Sequence, residues 1–367
     1  MVTRSSPWIR TPIDLPLACF LLWVLCTVPF ATDPSYSFAE WRKFLTHSLV
    51  FYWATLVFHR SGRDLLPTHA ILAASVGGAL LAAYALLDFV LIGGTWRDRI
   101  IRARAINSDY NWLSTYMVLF IPLVAGLTGG AHAPWVRILK GPALLLTTLA
   151  QVFSYTRAGW VAHAVQGLSW GALIGGRRAV AVVAGVGLIL AAILAIATTA
   201  GYQRDTVDTT TIETRIGVWR VGVSEVLSHP LLGIGYGNDS FLKKFPEYSP
   251  QAQGHLPARA QTIPAMHSMF MMVALGSGLP AFACFLWMLA ALLRRLLAHC
   301  EYNKSAVSLR IHPHWIGVGV LGFCARNLFD YMFMGSLAYL FWILAAAGVA
   351  LTSGGRNREG QARTDDF

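Results

Sequence analysis

Arg157 lies in the run Ser154-Tyr155-Thr156-Arg157-Ala158-Gly159-Trp160, between two apolar stretches that carry no charge, 141–155 and 158–176. A guanidinium stays protonated, so at a membrane boundary it needs an anion, water or a set of acceptor oxygens. Ionisable groups between membrane segments are functional candidates by default. Two more polar residues stand in related positions: Arg215 in the one long hydrophilic stretch, 200–266, and His267 where that stretch re-enters apolar sequence. The three together fit a phosphate-bearing lipid substrate.

The sequence has no Walker motif, no DxD run, no HExxH and no Cys/His spacing suited to zinc. No nucleotide, metal or other cofactor is therefore expected. A reaction on the outer face then draws its energy from the substrate, and a lipid diphosphate is a suitable carrier. Cleaving its sugar–phosphate bond builds negative charge on the departing diphosphate. Guanidiniums match that charge with paired donors better than a lysine point charge does. Arg157 and Arg215 fit this role, with Arg102, Arg104 and Arg220 in reserve. An attacking sugar hydroxyl gains from a base that titrates near neutrality, which points to histidine and here to His267. Asn327 and Asp330, between the last two apolar runs, either bind sugar or form the turn.

Each residue also has a plainer reading. Arg157 is then an interfacial anchor with its head in water, and Arg215 a solvated helix charge paired with Glu213 or Glu225. His267 becomes a helix-start histidine bonded to a backbone carbonyl, and His163, His229 and His255 meet the same requirement by type. Gly233-Ile234-Gly235-Tyr236-Gly237 follows His229-Pro230 rather than a strand, so it reads as a tight chain reversal and not a phosphate cradle.

The elements that must position these residues are membrane helices. Hydrophobic residues make up 55% of the 367 and charged ones 13%, with mean hydropathy +0.52, about half the charge of a soluble protein. The five cysteines, mostly within apolar segments, form no disulfide framework. An all-α polytopic membrane protein follows, with about ten spans of roughly 20 residues each. They are expected over 15–31, 44–59, 68–93, 111–128, 139–155, 158–176, 179–199, 268–293, 312–328 and 333–352. In domain terms, 1–199 is a first bundle, 200–266 a loop carrying the active-site helix, 267–352 the C-terminal helices and 353–367 a tail. Arginine and lysine in the short loops put both termini and the tail in the cytoplasm and the long loop outside; much of the net charge of +11 follows from that asymmetry. The exception is 94–110, with four arginines on the outer face, explained either by pairing with Asp98 and Asp109 or by an anionic ligand. Within the long loop, Ile212 to Leu227 has helical periodicity with Ile216, Trp219, Val223 and Val226/Leu227 on one stripe, and His229-Pro230 ends it.

Tyr155-Thr156-Arg157-Ala158-Gly159-Trp160 resembles the TRAGW-type signature of the O-antigen ligase and O-antigen polymerase superfamily. Thr214-Arg215-Ile216-Gly217-Val218-Trp219 with Pro230-Leu231-Leu232-Gly233-Ile234-Gly235 is similar to its arginine helix and glycine turn. Met266-His267-Ser268 with Gly276-Ser277-Gly278-Leu279-Pro280 resembles its histidine segment, although Ser268 stands where the family often has asparagine. Asp109-Tyr110-Asn111-Trp112-Leu113-Ser114 resembles its entry to a span and adds Asn111 to the substrate-binding candidates. The resemblance runs from about 95 to 345, and the chain is about two spans shorter than typical ligases. It implies a GT-C-type inverting, metal-independent glycosyltransferase in the bacterial inner membrane. Such an enzyme moves a glycan from undecaprenyl diphosphate to an acceptor on the periplasmic side. The acceptor is lipid A–core in a ligase, another lipid-linked repeat in a polymerase, and a protein serine in a third type. The ligase is favoured here. A lipid-linked glycan transporter is the alternative from another class, but its charges would be spread over many helices. No nucleic-acid partner is expected.

Overall fold

The computed structural model describes residues 9–61, 65–92, 102–106, 109–129, 134–175, 210–244, 266–298 and 309–365, with a few single residues between 177 and 185. In chain order the helices are α1 (Asp14–Thr27), α2 (Pro34–Arg60), α3 (Leu65–Leu91), α4 (Tyr110–Gly126), α5 (Pro134–Phe153), α6 (Arg157–Ile174), α7 (Thr210–Ser228), α8 (Asn238–Lys244), α9 (Met269–Leu297), α10 (Pro313–Asn327) and α11 (Gly335–Asp365). A 3-10 turn (Val28–Phe30) follows α1. The one ladder among the described residues is two residues long, β1 (Thr128–Gly129) against β2 (Leu309–Arg310), antiparallel.

By length and composition, four of the described helical segments can cross a membrane: Leu65–Leu91, Pro134–Phe153, Met269–Leu297 and Gly335–Ser353. Asp14–Phe30 is apolar but shorter. The chain is an α-helical membrane protein. All but a few single residues of the expected span at 179–199 lie outside the described residues. Helix α2 starts at Pro34, well ahead of the expected 44, because Asp33 caps it by accepting from Tyr36 N at 2.9 Å and Pro34 fits the first helical position.

The chain divides into two compact units, each assembled from distant segments. One comprises Met1–Pro67, Glu213–Glu301 and Trp342–Phe367; the other comprises Thr68–Ile212 and Tyr302–Phe341. The core of the first is aromatic. Phe20 of α1 packs at 4.9 Å from Phe44 of α2, 5.6 Å from Phe285 of α9 and 6.1 Å from Tyr236. Trp342 of α11, fully buried, meets Phe51 at 5.6 Å. Such pairs add about 0.5–1.5 kcal/mol each beyond burial of their area.

In the same unit α9 is broken. Ser277 and Gly278 leave the helical region, Gly278 with φ 78 and ψ 175, and the break exposes carbonyls that a membrane protein has to satisfy internally. The chain from Pro230 to Gly235 does so. Ile234 N donates to Leu275 O (2.9 Å), Gly235 N to Gly276 O (2.9 Å), and Leu279 N to Pro230 O (2.8 Å). Trp23 Nε1 donates to Ser277 O at 3.1 Å. The approach is so close that a Cβ on Gly278 would lie 2.1 Å from Leu231 O, and one on Gly233 2.4 Å from Leu275 O. The glycine run is thus a chain reversal, as expected from Pro230, and is also a plug for the broken helix.

The second unit is organised by α4, α6 and α10. Small residues let these helices approach closely: a Cβ on Gly322 of α10 would meet Gln166 Nε2 at 2.1 Å, and one on Gly126 of α4 would meet the Trp315 ring at 2.4 Å. Gln166 Nε2 donates to Val118 O across 2.7 Å, tying α6 to α4.

Candidate functional site

The candidate residues fall into two groups, one in each unit. Arg215, Arg220 and His267 belong to the first; Arg102, Arg104, Asn111, Arg157, Asn327 and Asp330 belong to the second.

In the first group, α7 covers the expected 212–227 and carries Arg215, half-buried. Trp219 lies one turn further along the same face and donates its Nε1–H to Met266 O at 2.9 Å. Met266 is fully buried against α7, where a Cβ on Gly222 would lie 2.7 Å from its Cε. His267 follows with φ 48. This left-handed conformation costs a non-glycine residue about 1–3 kcal/mol and persists only where the surroundings enforce it. Ser268, 2% exposed, then caps α9 by accepting from Met271 N (3.3 Å). His267 is thereby held half-exposed between a buried anchor and a helix cap. Serine suits this position, being a strong N-cap residue.

Glu225 is not Arg215's partner: ten residues further along α7 amounts to about 15 Å of rise. Glu225 Oε2 instead faces His229 Nδ1 and Lys244 Nζ, each at 3.6 Å. Arg220 is exposed on α7. The glycine turn is held from the other side by Tyr36, whose oxygen accepts from Asp239 N at 3.2 Å; burial pushes its phenol up to about 12. Asp33, which caps the same helix, is held below the usual carboxylate range, first of all by a hydrogen bond from Lys243.

In the second group, Arg157 is the first residue of α6, after Thr156 at the N-cap and Tyr155 with φ 49. Tyr155 and His267 are the two non-glycine residues with positive φ among the described residues. A cation in the first helical turn opposes the helix dipole, so helix stability does not explain Arg157. The segment 102–105 is tied to the end of α5 by Ala103 N donating to Phe153 O (2.9 Å). On it, Arg102 stacks over Tyr110 at 4.3 Å and Arg104 Nε donates to Asp88 Oδ2 at 3.0 Å.

Asp109 caps α4, accepting from Asn111 N at 2.6 Å. Asn111 Oδ1 in turn accepts from Arg326 Nη2 (3.0 Å), and the same nitrogen donates to Asp330 Oδ2 (3.1 Å). Asn327 is structural on both sides of its amide: Nδ2 donates to Phe323 O (2.8 Å) and Oδ1 accepts from Met332 N (2.8 Å). Sequence reasoning missed Arg326. The signal was present, an arginine inside the apolar run 312–328. Of the rival histidines, His163 bonds Gln166 at 2.7 Å within α6, and His255 lies outside the described residues.

Residues 142–286 match the family described as O-antigen ligase. The match spans Arg157, Arg215, Arg220 and His267 but not Arg102, Arg104, Asn111, Asn327 or Asp330. No curated protein matches the chain.

Proposed function

We propose, from the match of residues 142–286 to the family described as O-antigen ligase, that the chain is a member of that superfamily and a ligase. It transfers a glycan from undecaprenyl diphosphate to a lipid A–core acceptor on the periplasmic side of the inner membrane. Membership as such supports a membrane glycosyltransferase of the ligase/polymerase type acting on lipid-linked glycan; the donor, acceptor and mechanism are our reading.

In this reading Arg157 and Arg215 bind the diphosphate and stabilise the charge it gains as it leaves. His267 takes the proton of the acceptor hydroxyl, which attacks the anomeric carbon with inversion. One observation carries it: among the described residues, left-handed backbone at non-glycine positions is confined to Tyr155 and His267, both inside the motifs that bear the candidate chemistry. Strain of this kind gathers at functional sites. A polymerase, or a protein O-oligosaccharyltransferase, would use the same residues on a different acceptor.

The lipopolysaccharide ladder of a deletion strain decides among them. Bare core with accumulated lipid-linked polymer is expected. Core carrying a single repeat would mean a polymerase, and an unchanged ladder with unglycosylated protein acceptors would mean protein transfer. Arg215→Ala should fail to restore the ladder while still reaching the membrane.

A further inference from the structure

Arg326 has a fully buried guanidinium. Of its five N–H groups, the two on Nη2 go to Asn111 Oδ1 and Asp330 Oδ2. Nε and Nη1 are buried and have no hydrogen-bond partner among the described residues. Buried donors of a charged group are costly when unmade. Their retention within a packed helix needs a reason beyond packing.

The position of Arg326 supplies one. Helices α4 and α6 run parallel, because Gly159 abuts Ser114 and Gln166 bonds Val118 further along both. Arg157 precedes Gly159 by about 3 Å of helical rise, and Asn111 precedes Ser114 by about 4.5 Å. Helix α10 runs the other way, with Trp315 against Gly126 and Gly322 against Gln166. Its C-terminal Arg326 therefore comes to the end of this unit that bears Arg157. The carboxylate of Asp330 offsets the guanidinium's charge, so the pair is a poor site for a diphosphate. Three N–H donors beside a carboxylate and an amide instead suit the hydroxyl and carbonyl oxygens of a sugar.

We propose that Arg326, oriented by Asn111 and Asp330, is a sugar-binding residue for the glycan of the lipid-linked donor. It is uncovered when the turn 328–334 shifts. That turn carries Asp330, is pinned by the bond from Met332 N to Asn327 Oδ1, and ends at Gly335 with φ 52. The inference rests on the glycosyl-transfer reading and narrows it. It separates the sugar contact from the diphosphate contact at Arg157.

The test uses the full chain in nanodiscs, with glycan-linked undecaprenyl diphosphate as donor and glycan-free undecaprenyl diphosphate as inhibitor. Arg326→Lys keeps the charge but loses the fork. It is expected to raise KM for the donor about tenfold, while the inhibition constant of the glycan-free lipid stays within about twofold. Equal shifts in both constants, or none, overturn the inference. If that variant does not fold, Asn111→Ala leaves the Arg326–Asp330 pair in place and should show the same selectivity, about threefold. If the wild type transfers nothing, the proposed activity fails separately and amide exchange still decides the subsite. A change in exchange across 328–334 with the glycan-linked lipid, absent with the glycan-free lipid, supports it; no change overturns it.

Discussion

Trp219 and Met266 are joined by a 2.9 Å hydrogen bond from indole to carbonyl, which fixes the helix bearing Arg215 to the residue before His267. The bond couples a helix to an irregular segment. It gives the two a common frame that neither propensity nor burial alone provides.

Trp219→Phe keeps an aromatic ring, though a smaller one, and loses the donor. A bond of this kind contributes about 1 kcal/mol, and each 1.4 kcal/mol corresponds to about tenfold in a rate ratio. Glycan transfer is expected to drop about three- to tenfold at unchanged expression, measured by turnover of the purified variant. Unaltered turnover would show that the brace does not act on the chemistry.

His267 separates function from stability. Both His267→Ala and His267→Gly should abolish transfer. Glycine accepts φ 48 without strain, whereas alanine does not. His267→Gly should therefore melt at a higher temperature than His267→Ala in detergent, by an amount matching about 1 kcal/mol. A lower melting temperature for the glycine variant would contradict the strain argument.

Arg157 makes the same point at a helix start. Arg157→Gln removes a cation that opposes the dipole of α6 and is expected to eliminate transfer while the chain still folds and reaches the membrane. Arg157→Lys retains the charge without the bidentate fork and should also impair transfer. A stable, fully active lysine variant would show that charge alone suffices.

Gly278→Ala puts a methyl group 2.1 Å from Leu231 O at a residue with φ 78. Backbone cannot yield as a side-chain tip does, so the cost is at least about 2–3 kcal/mol. Reduced folded yield and a lowered melting temperature are expected. An unperturbed melt would mean that the 230–235 chain is not seated on the break.

What the sequence reveals depends on the kind of cause. Arg157 stands out because charge between apolar stretches is visible in one dimension, and α7 because its apolar stripe is periodic. Arg326 lies at the end of an otherwise apolar run; its partner Asp330, four residues on, is legible in the sequence, whereas Asn111 comes from another helix 215 residues earlier and is not. The break in α9 was hidden within an apolar stretch long enough to be continuous; it is specified by Gly278 together with a turn more than forty residues earlier. The left-handed backbone at Tyr155 has no local signature, since a bulky aromatic residue does not favour it; at His267 the signature is weak, histidine being one of the few non-glycine residues enriched in that conformation. The Asp33-Pro34 pair closes one apolar run and also starts α2.

The seat between 230–235 and 275–279 has a consequence for engineering this chain. The two stretches supply each other's missing backbone partners, so they form one cassette. A hybrid that imports either stretch alone from a relative would leave donors and carbonyls stranded in an apolar medium. Exchanging both together carries the whole joint across, and swaps meant to alter acceptor choice should place their seams outside it.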